Sequence, residues 1–146
     1  MESDYPFIQL PLDYFKIKYG NEWKHEFENG DDLYYSTAIV DKYEFSVFKK
    51  QITSANIIEF IAGTTGYQGG DSGHGCRTMI RIKDLASTDI RVKELFDSSG
   101  NVDGVEIVFG GDYELSNLIK GLNFIENVLK VNRHNGSLYE GDEPLD

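Results

Sequence analysis

The spacing of apolar residues changes once along the chain, and this change constrains the fold more than any other feature. Through most of the chain apolar residues recur at every second position, which is typical of strands with one buried face. Near the C-terminus they recur at every third or fourth position, which is typical of a helix. The sequence therefore predicts an α+β fold built mainly from antiparallel strands, with one short helix and one long amphipathic C-terminal helix on a sheet face.

Alternation predicts six strands and one tight turn. Asp41 and Lys42 separate two of the strands, and both residue types are compatible with a turn. The predicted strands contain Phe15-Ile17-Tyr19, Leu33 to Val40, Tyr43-Phe45-Val47, Thr78-Ile80-Ile82, Ile90-Val92 and Val105-Ile107-Phe109.

Two helices are predicted. A short one lies between Ser54 and Gly63, because isoleucines share one face, Thr53 or Ser54 suits the N-cap and Gly63 suits a left-handed stop. The long one starts at an N-cap residue, Asp112, and presents an apolar stripe to the core. That stripe consists of Leu115, Leu118, Ile119, Leu122, Phe124, Ile125, Val128 and Leu129.

Length and residue usage limit the domain organisation and the compartment. The 146 residues suit one α+β domain over residues 1–134 and an acidic tail over 135–146, which we predict to be mobile. The single cysteine, Cys76, excludes an internal disulfide and favours a reducing compartment. The N-terminus lacks the basic residues of an export signal, and no apolar run approaches the ~20 residues of a membrane helix. These features predict a cytoplasmic protein.

The formal net charge of −11 limits the partners. Such a charge repels phosphate backbones and anionic lipids, which counts against direct nucleic-acid binding and membrane binding. Two kinds of partner remain: a basic protein surface, and a small ligand that meets only the local field of its site.

The segment Gly66 to Thr78, GYQGGDSGHGCRT, is unusually rich in glycine. Five of the 15 glycines fall within ten residues there, and such density indicates left-handed turns or close approach of the backbone to another group. A flexible connection is one interpretation. The other is a loop whose amides and Arg77 cradle an anion, with basic residues 81, 83, 91 and 93 forming a ladder on the next two strands if these pair in register.

The second interpretation gives a predicted site without a metal or a cofactor. Tyr67 would stack on a planar ligand, Arg77 would neutralise it, and the next two strands would supply further charge. The predicted ligand-binding residues are Tyr67, Gly69, Gly70, Asp71, Ser72, His74, Arg77, Arg81 and Arg91.

Enzyme chemistry is the least favoured interpretation of the sequence. Cys76 lies between His74 and Arg77, so a cysteine nucleophile is one alternative, but no third residue is placed to orient it. The three histidines are scattered singly, without the spacing of metal ligands. We therefore predict no catalytic residue and no metal ligand.

The sequence thus favours a non-enzymatic binding protein that sequesters or senses a small anionic or nucleotide-like ligand through the loop 66–78. The alternative is a small acidic inhibitor or immunity-type protein that blocks a basic surface of a nuclease, a toxin or a nucleic-acid-binding machine. A homo-oligomeric assembly subunit is a third interpretation, since exposed strand edges serve assembly.

Overall fold

The computed structural model describes residues 5–134 and confirms the α+β class. The predicted acidic tail, 135–146, lies outside the described residues. In chain order the elements are β1 (Ile8–Leu10), α1 (Tyr14–Tyr19), a 3₁₀ turn (Gly20–Glu22), β2 (Asp32–Val40), β3 (Tyr43–Thr53), β4 (Ile57–Thr64), β5 (Thr78–Ala86), β6 (Asp89–Phe96), β7 (Val102–Gly110) and α2 (Asp112–Asn132).

The strands form two sheets. Strands β1 to β5 make an antiparallel meander in chain order, and β6 pairs with β7 as a separate hairpin. Asp41 and Lys42 form the predicted turn between β2 and β3, both with positive φ (50° and 75°). Positive φ at both central residues gives a turn whose twist matches that of the flanking strands.

The predicted helix between Ser54 and Gly63 is wrong, because these residues contribute to β4. The segment lies in the sheet between β3 and β5 and is buried on both faces. A strand of this kind is apolar at nearly every position, so its periodicity does not distinguish it from a buried helix. The β-branched isoleucines 57, 58 and 61 favour the strand.

The predicted strand around Phe15 is also wrong, because Tyr14–Tyr19 forms the short helix of the fold. A segment of six residues is too short to distinguish the helical period of 3.6 residues from the strand period of two. Phe15 and Tyr19, four positions apart, stack on each other with ring centroids 6.0 Å apart, and Phe15 is fully buried. Ile17, which alternation assigned to the core, is 77% exposed.

The main core lies between α2 and one face of the five-stranded sheet. Phe48 and Phe60 from the sheet meet Phe124 and Val128 from the helix, all essentially inaccessible to solvent. Burying one such side chain contributes roughly 1.5–3 kcal/mol. A smaller cluster of Ala38, Phe45, Val47 and Ile61 covers the opposite face, with Tyr5 and Phe7 packed against it.

Helix α2 approaches the sheet most closely at Gly121. A Cβ atom at this position would overlap the ring of Phe60 on β4. The absence of a side chain therefore sets the distance between helix and sheet at this point.

Polar side chains near the start and near the end of α2 hold the helix against the rest of the fold. Near its start, Asn56 donates to Glu114 and Asn117 donates to Asn56 Oδ1 at 3.0 Å. Farther along, Asn127 Oδ1 accepts from the Lys24 amide at 2.7 Å, and Asn132 Oδ1 accepts from the Tyr19 hydroxyl at 2.8 Å. Because these groups are satisfied, the buried face of α2 tolerates them.

The predicted core stripe of α2 is partly wrong. Phe124, Ile125 and Val128 are buried as expected, but Leu115, Ile119 and Leu122 are 58%, 59% and 49% exposed. The buried face is instead shared by small and polar residues, which the preceding contacts hold against the sheet. Among residues 5–134, no helix combines the length and the apolar character needed to cross a membrane.

Candidate functional site

The Gly-rich segment leaves the sheet at the end of β4 and returns at the start of β5. Its base is closed by two hydrogen bonds: the Thr65 amide donates to the Arg77 carbonyl at 3.0 Å, and the Arg77 amide donates to Thr65 Oγ1 at 3.1 Å. Thr64 and Thr78, paired across the strands, join their hydroxyls at 2.9 Å just below. The segment is therefore a closed loop on a rigid base.

The glycines inside the loop serve its own packing. A Cβ on Gly75 would overlap the carbonyl groups of Gly70 and Asp71, and a Cβ on Gly70 would overlap His74. Asp71 Oδ1 accepts from the Gly73 amide at 2.9 Å. These contacts account for much of the glycine density without a ligand, and they engage Asp71 in the loop itself. Gly69, Ser72 and His74 are exposed at the tip.

Arg77, the predicted anion-binding group, is engaged with the β2–β3 turn and with the backbone of the loop itself. Its Nε donates to Asp41 Oδ2 at 2.8 Å, its Nη1 donates to the carbonyls of Gly75 and Cys76 at 3.2 Å, and its guanidinium lies over the Tyr43 ring. The side chain holds the end of the loop against the β2–β3 turn.

The predicted basic ladder does not form. Its premise was that the strands of Arg81 and Arg91 pair, but β5 pairs with β4 and β6 pairs with β7. Arg81 lies on the sheet face opposite α2, with its guanidinium 5.5 Å from the Tyr5 ring centroid. Arg91 Nε lies 3.3 Å from Asp89 Oδ1 on its own strand.

A cavity of about 170 Å³ lies between the base of the loop and the last turns of α2. Of the predicted site residues, only Tyr67 lines it. The Tyr67 amide donates to the Arg133 carbonyl at 2.7 Å, and its ring meets the His134 ring edge to face. The lining residues are Thr64, Gly66, Tyr67, Cys76, Thr78, Leu129, Lys130 and Arg133.

Two cationic side chains line this cavity, Lys130 from α2 and Arg133 directly after it, and the sequence did not reveal them. Lys130 Nζ lies 3.1 Å from Glu126 Oε2, and Arg133 Nε donates to His134 Nε2 at 3.2 Å. The C-terminal end of the helix adds roughly half a negative charge. The cavity therefore has two cationic side chains beside Glu126 in a chain of net charge −11.

A second polar cluster is buried below the middle of α2. Lys50 has no exposed surface; its Nζ lies 3.1 Å from Asp31 Oδ2 and contacts His25 Nε2, and it stands over the Phe27 ring. His25 Nδ1 lies 2.7 Å from Asn123 Oδ1. An ammonium group only donates, so Nε2 accepts and the proton of neutral His25 sits on Nδ1, where it bonds Asn123.

The surroundings of this cluster shift the pKa values of His25 and Lys50. Burial, reinforced by the Lys50 ammonium, lowers the pKa of His25 from 6.5 to about 4. Burial also lowers the pKa of Lys50, and the Asp31 carboxylate opposes that effect. The cluster ties residues 25–31 to β3 and α2 around the fully buried Lys50.

We expect the protein to lose stability between pH 7 and pH 5. The folded pKa of His25 lies below its unfolded value, so the unfolded chain binds more protons in this window. The free energy of unfolding therefore falls as the pH is lowered. This histidine alone should remove about 2 kcal/mol from the free energy of unfolding. Urea denaturation at each pH measures the loss, and His25→Gln should show a shallower pH dependence. An equal slope in both proteins would assign the effect to other groups.

The possible metal ligands stay apart in the described part of the chain. Within residues 5–134, no group of three His, Cys, Asp or Glu side chains is placed to hold a metal ion. Cys76 Sγ lies 3.9 Å from Thr78 Oγ1, and Arg77 is turned toward Asp41. Neither the Thr78 hydroxyl nor the Arg77 guanidinium is a base that could activate the Cys76 thiol.

Comparison of the chain with protein families, with curated proteins and with solved structures gave no match.

Proposed function

We propose that this protein binds a small ligand without catalysis, by seating an anionic group of the ligand in the cavity between the loop base and α2. The supporting observation is the lining, which includes Lys130 and Arg133 from the end of α2 and Thr64 and Thr78 from the two strands. Cations and hydroxyl donors that converge on one concavity suit phosphate or carboxylate oxygens.

The size of the cavity limits what it encloses. Its 170 Å³ falls below the roughly 300–1,000 Å³ of sites that bury a drug-sized ligand. A phosphate or carboxylate group would fill it, and the rest of a nucleotide-like molecule would extend along the outside of the Gly-rich loop. Exposed polar residues of that loop, such as Ser72 and His74, would then contact the ligand from its solvent side.

The two threonines favour an anion more than a cation. Thr64 Oγ1 already accepts from the Gly66 amide at 3.1 Å. When Thr64 donates to Thr78, the Thr78 hydroxyl hydrogen is left to donate to a bound anion. An anion would also compete with Glu126 for Lys130, so binding should depend on the charge of that lysine.

A thermal-shift screen against inorganic phosphate, nucleotides, cyclic nucleotides and sugar phosphates tests the proposal. A ligand at ~100 times its dissociation constant stabilises the fold by roughly 2.7 kcal/mol, which raises Tm by several degrees. Lys130→Gln should weaken the shift at least ~10-fold in apparent affinity, as loss of a charge-assisted hydrogen bond requires. Lys93→Gln on the hairpin, a change of equal charge, is the matched control.

Arg77→Ala separates two versions of the site. If the cavity binds the anion, Arg77→Ala keeps the ligand-induced shift, because its guanidinium is engaged with Asp41. If the loop closes over the ligand and recruits Arg77, the shift disappears. Equal shifts in wild type, Lys130→Gln and Lys93→Gln would contradict binding in the cavity.

The acidic blocking protein receives less support. Of its acids, Asp31 is buried beside Lys50, Glu28 lies 2.8 Å from Lys120 and Glu26 lies 3.4 Å from Lys16. Groups that are paired within the chain offer less charge to a basic partner. The net charge of −11 remains its supporting feature, and binding that weakens steeply with added salt would favour it.

A further inference from the structure

The two faces of the β6–β7 hairpin differ in chemistry. One face carries the charged residues Arg91, Lys93 and Glu106 together with Leu95 and Val108. The other begins with the pair Ile90 and Phe109 and continues outward with apolar residues and one acid, Glu94. Exposed on that face are Val92 (65%), Phe96 (59%), Val102 (56%), Val105 (57%) and Ile107 (37%).

Helix α2, which contacts β7, also carries exposed apolar residues. Ile90 at the hairpin base and Leu118 on the helix both pack against the main core. Leu115, Ile119 and Leu122, which are the exposed part of the stripe described above, share the side of the helix that carries Leu118. We call the five hairpin residues and these three leucine and isoleucine residues the hairpin–helix surface.

We propose that a second copy of this chain covers the hairpin–helix surface in a homodimer. Its eight residues expose on the order of 800 Å², which equals the roughly 800 Å² per partner of a standard specific interface.

The hairpin itself needs such a cover. An isolated two-stranded hairpin is at best marginally stable in water, and stability comes with a third strand or with packing against another element. Among residues 5–134, the hairpin packs on the body at its base, through residues such as Ile90. A two-fold related copy would supply the missing layer to both hairpins at once.

Composition favours a second copy over other occupants. A basic partner would be recognised by acidic residues. Among the paired positions of the apolar hairpin face, Glu94 is the only charged residue. The residues outside the described range, 1–4 and 135–146, contain only Met1, Leu138, Tyr139 and Leu145 as large apolar residues. Four such residues are too few to cover eight, whereas an identical surface matches in size and polarity.

Analytical ultracentrifugation of the full chain tests the proposal. We expect wild type to sediment at twice its 16.6 kDa monomer mass at micromolar concentration. Val92→Glu should raise the dimer dissociation constant at least ~100-fold, since a two-fold interface would bury the unpaired charge twice. Val108→Glu, on the opposite face of the same hairpin, should leave the constant within ~3-fold of wild type.

Circular dichroism of both variants shows whether the fold persists. A monomeric wild type would overturn the proposal, and protection of hairpin amides from hydrogen exchange in that monomer would assign the cover to the chain's own terminal residues. A self-associated wild type that Val92→Glu leaves unchanged would place the contact elsewhere and would overturn it as well.

Discussion

Replacing Lys50 with methionine should lower the free energy of unfolding by about 3–5 kcal/mol, a large share of the ~5–15 kcal/mol of a typical domain. The substitution leaves the Asp31 carboxylate buried beside an apolar side chain, with the Glu28 amide as its remaining donor at 2.9 Å. It also removes the donor to His25. Urea denaturation of Lys50→Met and wild type at pH 7 measures the loss.

The double variant Lys50→Met, Asp31→Asn identifies the cause. It removes both charges and keeps an amide oxygen to accept from Glu28, so it should recover at least about 1–2 kcal/mol of the single variant's loss. If the double variant is no more stable than Lys50→Met, the cost arises from packing at position 50 and not from the unpaired carboxylate.

Gly121→Leu should be similarly damaging, with a loss of at least about 3 kcal/mol. The added side chain would occupy the volume of the Phe60 ring, and neither helix nor sheet can shift without opening the contacts of Phe124 and Val128. The better helix propensity of leucine returns only about 1 kcal/mol. Thermal and urea unfolding give the net change.

Two further variants test that explanation. Ser116→Leu places the same side chain on the exposed face of α2 and should change stability by less than about 0.5 kcal/mol. Gly121→Leu combined with Phe60→Ala removes the ring and should be more stable than Gly121→Leu alone, although Phe60→Ala by itself costs about 3–5 kcal/mol. A double variant that is less stable than both singles would show that the two positions do not share one space.

The strands with an exposed face could be predicted, and the strand buried on both faces could not. Strand β2 lies partly in the core, and residues 105, 107 and 109 of β7 are apolar on one side of the exposed hairpin. Strand β4 is covered on both sides, so nearly every position is apolar and the period of two disappears. Burial on both faces is a tertiary property that a local pattern does not record.

The orientation of α2 illustrates a different limit. Its most apolar side predicted the core face, yet the helix turns Asn117, Gly121 and Asn132 inward and leaves Leu115 and Ile119 outward. A hydrophobic stripe shows that a helix has something to bury, but not against which surface. A partner outside the single chain would reconcile the stripe with the fold.

The cavity lies at the base of the loop that the sequence singled out, but its cationic residues could not be predicted from the sequence. Glycine density drew attention to residues 66–75, but the cations at the cavity come from Lys130 and Arg133, more than fifty residues later. Arg77, the nearest cation in sequence, is instead drawn to Asp41 across the β2–β3 turn. Side-chain direction at a loop end depends on partners that sequence proximity does not identify.

The meander gives the chain a particular order of synthesis and folding. Each strand of the five-stranded sheet pairs with its neighbour in sequence, so pairing can follow the order in which the strands emerge from the ribosome. The covering helix α2 is translated after all seven described strands. Phe15 of α1 can pack on Phe48 before that, but Phe60 lacks its helical cover until residues 112–132 emerge.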